Sequence, residues 1–215
     1  RYSPVTGVRK SWDSEKWEFP VIIDNMMNLE LLMAADSARL RDIAYSHAVT
    51  TMKNHFREDH TCYHLVNYSL ADGSVLGRQT VQGCSDDSAW ARGQAWALYG
   101  YTMMSREAAS AGDPEKSAAF LAQAEKVASM LLSRLPEDGI PYWDFDSPDI
   151  PDDFRDASAG AVMASAFTEL SSLTSDRRLG KACRKMALRQ IRALASDEYL
   201  AAVGENGNFL LRHSV

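Results

Sequence analysis

The chain has no apolar run approaching the roughly 20 residues needed to cross a bilayer as a helix. It also has no excess of positive charge: 23 Lys and Arg stand against 29 Asp and Glu, for a formal net charge of -6. The first absence removes a helical membrane span, and the second withholds support from nucleic-acid binding. Cysteine is scarce. Cys62, Cys84 and Cys183 are odd in number and widely spaced, forming neither a metal-ligand motif nor a disulfide framework, so all three are expected to be buried free thiols. The five histidines, His47, His55, His60, His64 and His213, lack metal-ligand spacing as well. His55 and His60 are five apart and do not stack on one helix face. His60 and His64 are four apart, but along a strand that is roughly 13 Å, too far to share an ion; only a helical turn would reunite them. No metal and no cofactor are expected. There is no initiating Met and no signal-peptide pattern: the chain opens at Arg1 and closes in FLLRHSV, which reads as an apolar segment or the start of a strand. An internal piece of a longer protein is expected, with the compartment open between cytoplasm and periplasm.

What is present is an ordinary globular composition, 46% apolar and 24% charged over 215 residues, enough to build a core. Its organisation is a repeat. Three helix-like segments rich in apolar and small residues begin near Asp24 (DNMMNLELLMAAD), Asp87 (DSAWARGQAWALYGYTMMSREAA) and Asp156 (DASAGAVMASAFTELSSL). Each is followed by a more polar, amphipathic helix: SARLRDIAYSHAVTTMKNHF, PEKSAAFLAQAEKVASMLLSRL and DRRLGKACRKMALRQIRALA. Loops with turn and strand residues close each unit, giving a period of about 60–70 residues. The first helix of each pair, apolar nearly all round, should be buried on both faces; the second, with one apolar stripe, should lie outside. Inner helix then outer helix, repeated, predicts an all-α toroid. Three pairs amount to half of a closed six-pair (α/α)6 barrel, so residues 1–215 read as a partial toroid domain.

Each inner helix is expected to start at an Asp, namely Asp24, Asp87 or Asp156. An N-cap role is the ordinary explanation, worth about 1 kcal/mol. It suits Asp156 best and Asp87 about as well as not. Asp24, after the apolar run FPVII, would sit at one mouth of the toroid. Burial raises a carboxyl pKa there and the helix N-terminus lowers it, so residue types alone leave its protonation open. Within SDDSAWARGQAWALYGY, Arg92 and Trp96 are four apart and share a face. Arg92 can grip a carboxylate in bidentate fashion, and Trp96 can lie against a sugar ring or the guanidinium. Gly93 admits a close neighbour or ligand. The competing explanation is a core arginine paired with Asp86 or Asp87. Tyr63, His64 and Gln82 lie in the preceding loop. Trp12 and Trp17 sit in SWDSEKWEF, where sugar stacking and packing onto the toroid are equally good accounts.

The segments DNMMNLELL, YSL, RQTVQG and SDDSAWARGQAW, set in the helix-pair repeat, resemble the unsaturated glucuronyl hydrolases of glycoside hydrolase family 88 from RYSPVTGVRKSWD to LLRHSV. The resemblance implies an (α/α)6 barrel. It also implies release of the unsaturated uronic acid that polysaccharide lyases leave on glycosaminoglycan fragments. In that reaction an Asp protonates the C4=C5 vinyl ether, water adds at C5, and the hemiketal opens and expels the aglycone, so the two-carboxylate spacing of ordinary glycosidases does not transfer. By resemblance Asp24 is the general acid/base. His64, Gln82, Arg92 and Trp96 are pocket residues, Arg92 for the uronate carboxylate and Trp96 for the ring. Trp12 matches a stacking tryptophan, and Asp86 and Asp87 would cap the helix and hold Arg92. The implied partner is an unsaturated uronic-acid oligosaccharide.

One departure is large. The family's second important Asp lies in a His-Asp pair on an earlier inner helix, and no such dipeptide occurs here; it is expected upstream of Arg1. A family loop that contacts the leaving sugar would follow Val215. Residues 1–215 by themselves are therefore expected to be inactive or unstable. Two other functions compete. One is the pectin-directed unsaturated rhamnogalacturonyl hydrolase, in which Asn-Gly usually replaces Gln94-Ala95. The other is a non-catalytic toroid module that binds sugar or protein.

Overall fold

A computed structural model describes residues 1–215. Strand β1 (Tyr2–Ser3) pairs antiparallel with β2 (Val8–Arg9), and β3 (Pro20–Ile22) leads into a 3₁₀ segment, Ile23–Asn28. Helix α1 (Leu29–Ala34) continues that segment, and α2 (Ala38–Asn54) returns. Strands β4 (Leu65–Tyr68) and β5 (Val75–Gln79) complete a three-stranded antiparallel sheet in the order β3-β4-β5. Helices α3 (Ala91–Ser110) and α4 (Pro114–Arg134) form the second hairpin, α5 (Ala157–Leu173) and α6 (Arg177–Leu194) the third.

These are the three pairs read from the sequence. α3 packs on the 3₁₀ segment and α1 on one side and on α5 on the other, while α4 touches α6 behind them. The result is an inner row (3₁₀ segment and α1, α3, α5) and an outer row (α2, α4, α6), an arc of an α/α toroid. Patterning explains who sits where. In α3, 13 of 20 residues are buried, and Arg92, Trp96, Tyr99 and Arg106 keep partial exposure on one stripe. In α6 only Gly180, Cys183, Ala187 and Gln190 are buried, at spacings of three and four, which is the single seam of an outer helix. Gly100 lets the 3₁₀ segment close on α3: a Cβ there would lie 2.5 Å from the Met26 Cβ. That approach fixes where Asp24 stands. Gly93 makes a similar approach to Ile23 and Trp90, a neighbour rather than an opening for ligand.

The helix starts differ in part from the sequence expectation. Asp156 does cap α5, accepting from the Ala159 amide at 3.1 Å. Asp87 caps nothing: α3 begins four residues later, with Trp90 in the cap position. The segment before it is held extended by the 143–146 loop, because the Ala91 amide donates to the Trp143 carbonyl and the Ala89 amide to Asp146 Oδ2. Asp24 lies in the first turn of the 3₁₀ segment, behind Ile22. Of the three cysteines, Cys62 and Cys183 are buried but Cys84 is exposed, since its loop crosses the surface before α3.

Candidate active site

Sheet register builds the site. Ile22 pairs with Leu65, and the Ile23 amide donates to the His64 carbonyl at 2.9 Å. The residue after Ile23 and the residue before Leu65 are thereby brought together. His64 Nε2 faces Asp24 Oδ2 at 3.8 Å, too long for a hydrogen bond, and neither atom has another protein partner although both are buried. Burial pushes the Asp24 carboxyl up to about 6, against smaller opposing effects of a backbone hydrogen bond and Arg92. Burial also pushes His64 down to about 4, with Arg92 acting in the same direction. His64 is thus neutral near pH 7, and the contact is not an ion pair.

The tautomer follows from the other ring nitrogen. His64 Nδ1 faces the amides of Val81 at 3.1 Å and Gln82 at 3.3 Å. Amides only donate, so Nδ1 accepts and Nε2 carries the proton, directed at Asp24. The imidazole also lies 4.6 Å from the Trp90 ring.

Arg92 stands on the first turn of α3. Its Nη1 lies within hydrogen-bond distance of three acceptors, Asp156 Oδ2 at 2.8 Å, Ser158 Oγ at 3.0 Å and the Val215 carbonyl at 2.5 Å, which share its two hydrogens, and the guanidinium lies 4.8 Å from the Trp90 ring. The carboxylate that anchors Arg92 is therefore Asp156, not Asp86 or Asp87. Asp86 instead accepts from the Thr80 amide at 2.8 Å, and Asp87 is exposed. The expectation that this pair holds Arg92 fails because α3 starts beyond them, while Asp156 is delivered by the neighbouring inner helix. All of these contacts are on Nη1, so the other guanidinium nitrogens make no protein hydrogen bond.

Trp96, half-buried one turn along the same stripe, meets Tyr99 edge-on at 5.8 Å. Gln82 is exposed and holds His64 through its amide rather than its side chain. Trp12 is half-buried edge-on against Trp17 at 6.0 Å, and Trp17 Nε1 donates to Gln79 Oε1. Gln94 does not reach the site: it is buried, accepting from the Cys62 amide at 2.8 Å and donating to the Cys62 carbonyl at 3.0 Å. His60 occupies a left-handed turn position, φ 69°, so no helix reunites it with His64. Sequence reasoning missed Ser158 and the second task of Asp156; the Asp-x-Ser spelling at the start of α5 was the available signal.

No family model matches the chain. An unsaturated glucuronyl hydrolase from Formosa agariphila is 43% identical over the whole of this chain, which spans 53% of that protein. Among solved structures, an unsaturated glucuronyl hydrolase specific for heparin superposes with a TM-score of 0.92 at 46% identity, covering all of this chain and 57% of that one. The unsaturated glucuronyl hydrolase of Bacillus sp. GL1, responsible for the degradation of glycosaminoglycan, gives 0.88 at 30% identity over the same shares. The chain thus spans about half the length of the relatives it matches. Over its whole length the chain is therefore similar, in sequence and in backbone, to unsaturated glucuronyl hydrolases.

Proposed function

We propose that the protein hydrolyses unsaturated glucuronyl oligosaccharides released from glycosaminoglycans by lyases, through hydration of the C4=C5 bond with Asp24 as general acid and base. The observation that carries this is the Asp24 carboxyl, held near pKa 6 beside the neutral His64 Nε2–H. A general acid works best with a pKa near the working pH.

In this reading the protonated Asp24 gives its proton to C4, and positive charge develops at C5 and the ring oxygen. The Asp24 carboxylate left behind faces His64 Nε2–H, which stabilises it without changing its own charge. The carboxylate then takes a proton from the water that adds to C5. The hemiketal opens to a C5 ketone and a C1 hemiacetal, which expels the aglycone. Arg92 supplies the local positive charge that an anionic sugar needs on a protein of net charge -6, oriented by buried Asp156. Trp96 and Trp12 are the stacking surfaces, and Gln82 lies at the rim. The named relatives favour a glucuronyl over a rhamnogalacturonyl substrate.

The test uses protein made from its complete reading frame and unsaturated chondroitin and heparin disaccharides. The conjugated C=C–carboxylate absorbs in the ultraviolet, and hydration destroys the band. Absorbance should fall with wild type and hold steady with Asp24→Asn. A folded Asp24→Asn protein that still bleaches the band would overturn the assignment, and a folded wild type that leaves both disaccharides intact would point to a binding module.

A further inference from the structure

His64 faces Asp24 with the right nitrogen only because two backbone amides occupy the other one, and those amides belong to an irregular loop, residues 80–88. What shapes that loop is a buried carboxylate 60 residues away. Asp144 Oδ2 accepts from the Cys84 amide at 2.9 Å and from Ser88 Oγ at 2.6 Å, and its Oδ1 accepts from the Asp146 amide at 2.9 Å. The side chain is fully buried, and no cation pairs with it. The loop winds onto this oxygen: the Ser85 amide donates to Ser88 Oγ at 3.0 Å, and the Gly83 amide to Thr80 Oγ1 at 2.7 Å. A Cβ on Gly83 would stand 3.2 Å from Asp144 Oδ2 and 2.8 Å from Thr80 Oγ1, so the turn closes this tightly only on glycine. Thr80, Val81 and Gln82, the residues around His64 Nδ1, are the near end of the same turn.

We propose that Asp144 is a positioning residue for the reaction: by gathering the 80–88 loop it aims the Val81 and Gln82 amides at His64 Nδ1 and so sets the Nε2–H tautomer opposite Asp24. It acts through His64 and touches neither substrate nor the reacting atoms. The proposal rests on the assignment of Asp24 as the acid. Asn cannot replace Asp144, because its two oxygens meet three donors and an amide NH₂ would present a donor to one of those sides. A loosened loop lets the imidazole populate both tautomers, and the Nδ1–H form turns a bare Nε2 toward Asp24. An ionised Asp24 then loses its facing N–H, so its pKa rises further.

The test is Asp144→Asn in the complete protein, with two readouts. Nitrogen-15 histidine NMR above pH 7, with His64 assigned by loss of its signals in His64→Gln, should show pure Nε2–H in wild type and a mixture in the variant. With unsaturated chondroitin disaccharide, kcat should fall on the order of 10- to 100-fold, as for a misplaced catalytic contact, while KM changes little and the pH limb assigned to Asp24 moves to higher pH. Ser88→Ala, which removes one hydroxyl from the same oxygen, should shift both readouts the same way more weakly, and serves if Asp144→Asn does not fold. A folded variant with His64 still purely Nε2–H, or with lower kcat but an unmoved pH profile, overturns the proposal. A wild type without hydration activity would overturn the assignment of Asp24 as the acid, while the tautomer comparison would still decide whether Asp144 sets the His64 tautomer.

Discussion

The inner face of the arc carries ionisable groups at both ends of α3, and the two ends are built on opposite plans. At the first turn, Asp24 Oδ2 and His64 Nε2 are buried 3.8 Å apart and each lacks a partner. Fourteen residues along, about 21 Å at 1.5 Å per residue, Arg106 donates to Glu30 at 2.6 Å, Glu169 at 2.6 Å and Glu107 at 2.9 Å, and Tyr99 donates to Glu30 at 2.6 Å. That end ties α1, α3 and α5 together with every charge answered. The two ends of α3 thus differ: at one the facing carboxylate and imidazole atoms have no partner, which costs free energy, and at the other the charges are paired.

Removing the unsatisfied carboxylate sharpens the contrast most. Asp24→Asn should cut hydration by about 10³-fold, within the range for loss of a general acid. It should also raise stability at pH 7 and above. The folded pKa of about 6 lies above the unfolded value near 3.9, so the folded state binds the extra proton between those values and loses stability as pH rises through 6. The Asn variant escapes that loss, a gain of about 1–3 kcal/mol to be read by thermal melts at pH 5 and pH 8. Equal shifts at both pH values would contradict it.

The buried histidines should act with the opposite sign. Burial pushes His47 down to about 3 and His55 and His64 to about 4, against 6.5 for the free side chain. Below about pH 6.5 the unfolded chain takes up protons that the folded one refuses, so stability falls as pH falls toward 4. The slope is about 1.4 kcal/mol per pH unit for each histidine, partly offset by Asp24. His55→Gln should flatten the acid limb of a melting-temperature profile.

Breaking the satisfied end should do the reverse of Asp24→Asn. Arg106→Met leaves three carboxylates near one another and should destabilise by about 1–2 kcal/mol, modest because the pairs are partly open to water. Hydration rate per folded molecule should stay within about twofold, since no reacting group is touched. A larger loss of rate with unchanged KM would show that the two ends are coupled. Smallest of all, native protein should consume one equivalent of a thiol reagent, at Cys84, because Cys62 and Cys183 are enclosed; mass spectrometry of the labelled peptide decides it.

The three hairpins were legible because helix period and alternation of apolar with amphipathic segments are local signals. The candidacy of Asp24, Arg92 and Trp96 was legible from residue type and resemblance, and that of His64 from the resemblance alone, since a lone histidine in a strand-like run reads as structural; the structure puts Asp24 and His64 against each other. What sequence could not reveal is non-local. Arg92 finds Asp156 64 residues on, α3 starts late because residues 143–146 pair with the segment before it, and Gln94 belongs to Cys62 rather than to a ligand. Each depends on which inner helix lies beside which, and only the folded arc decides that.

Burial without a hydrogen-bond partner for Oδ2 pushes the Asp24 carboxyl up to about 6, well above the usual carboxylate range. The most direct measurement is its titration by carbon-13 NMR in aspartate-labelled protein, with the resonance assigned by its loss in Asp24→Asn. A midpoint near 6 is expected; a midpoint near 4 would contradict a carboxyl raised by burial.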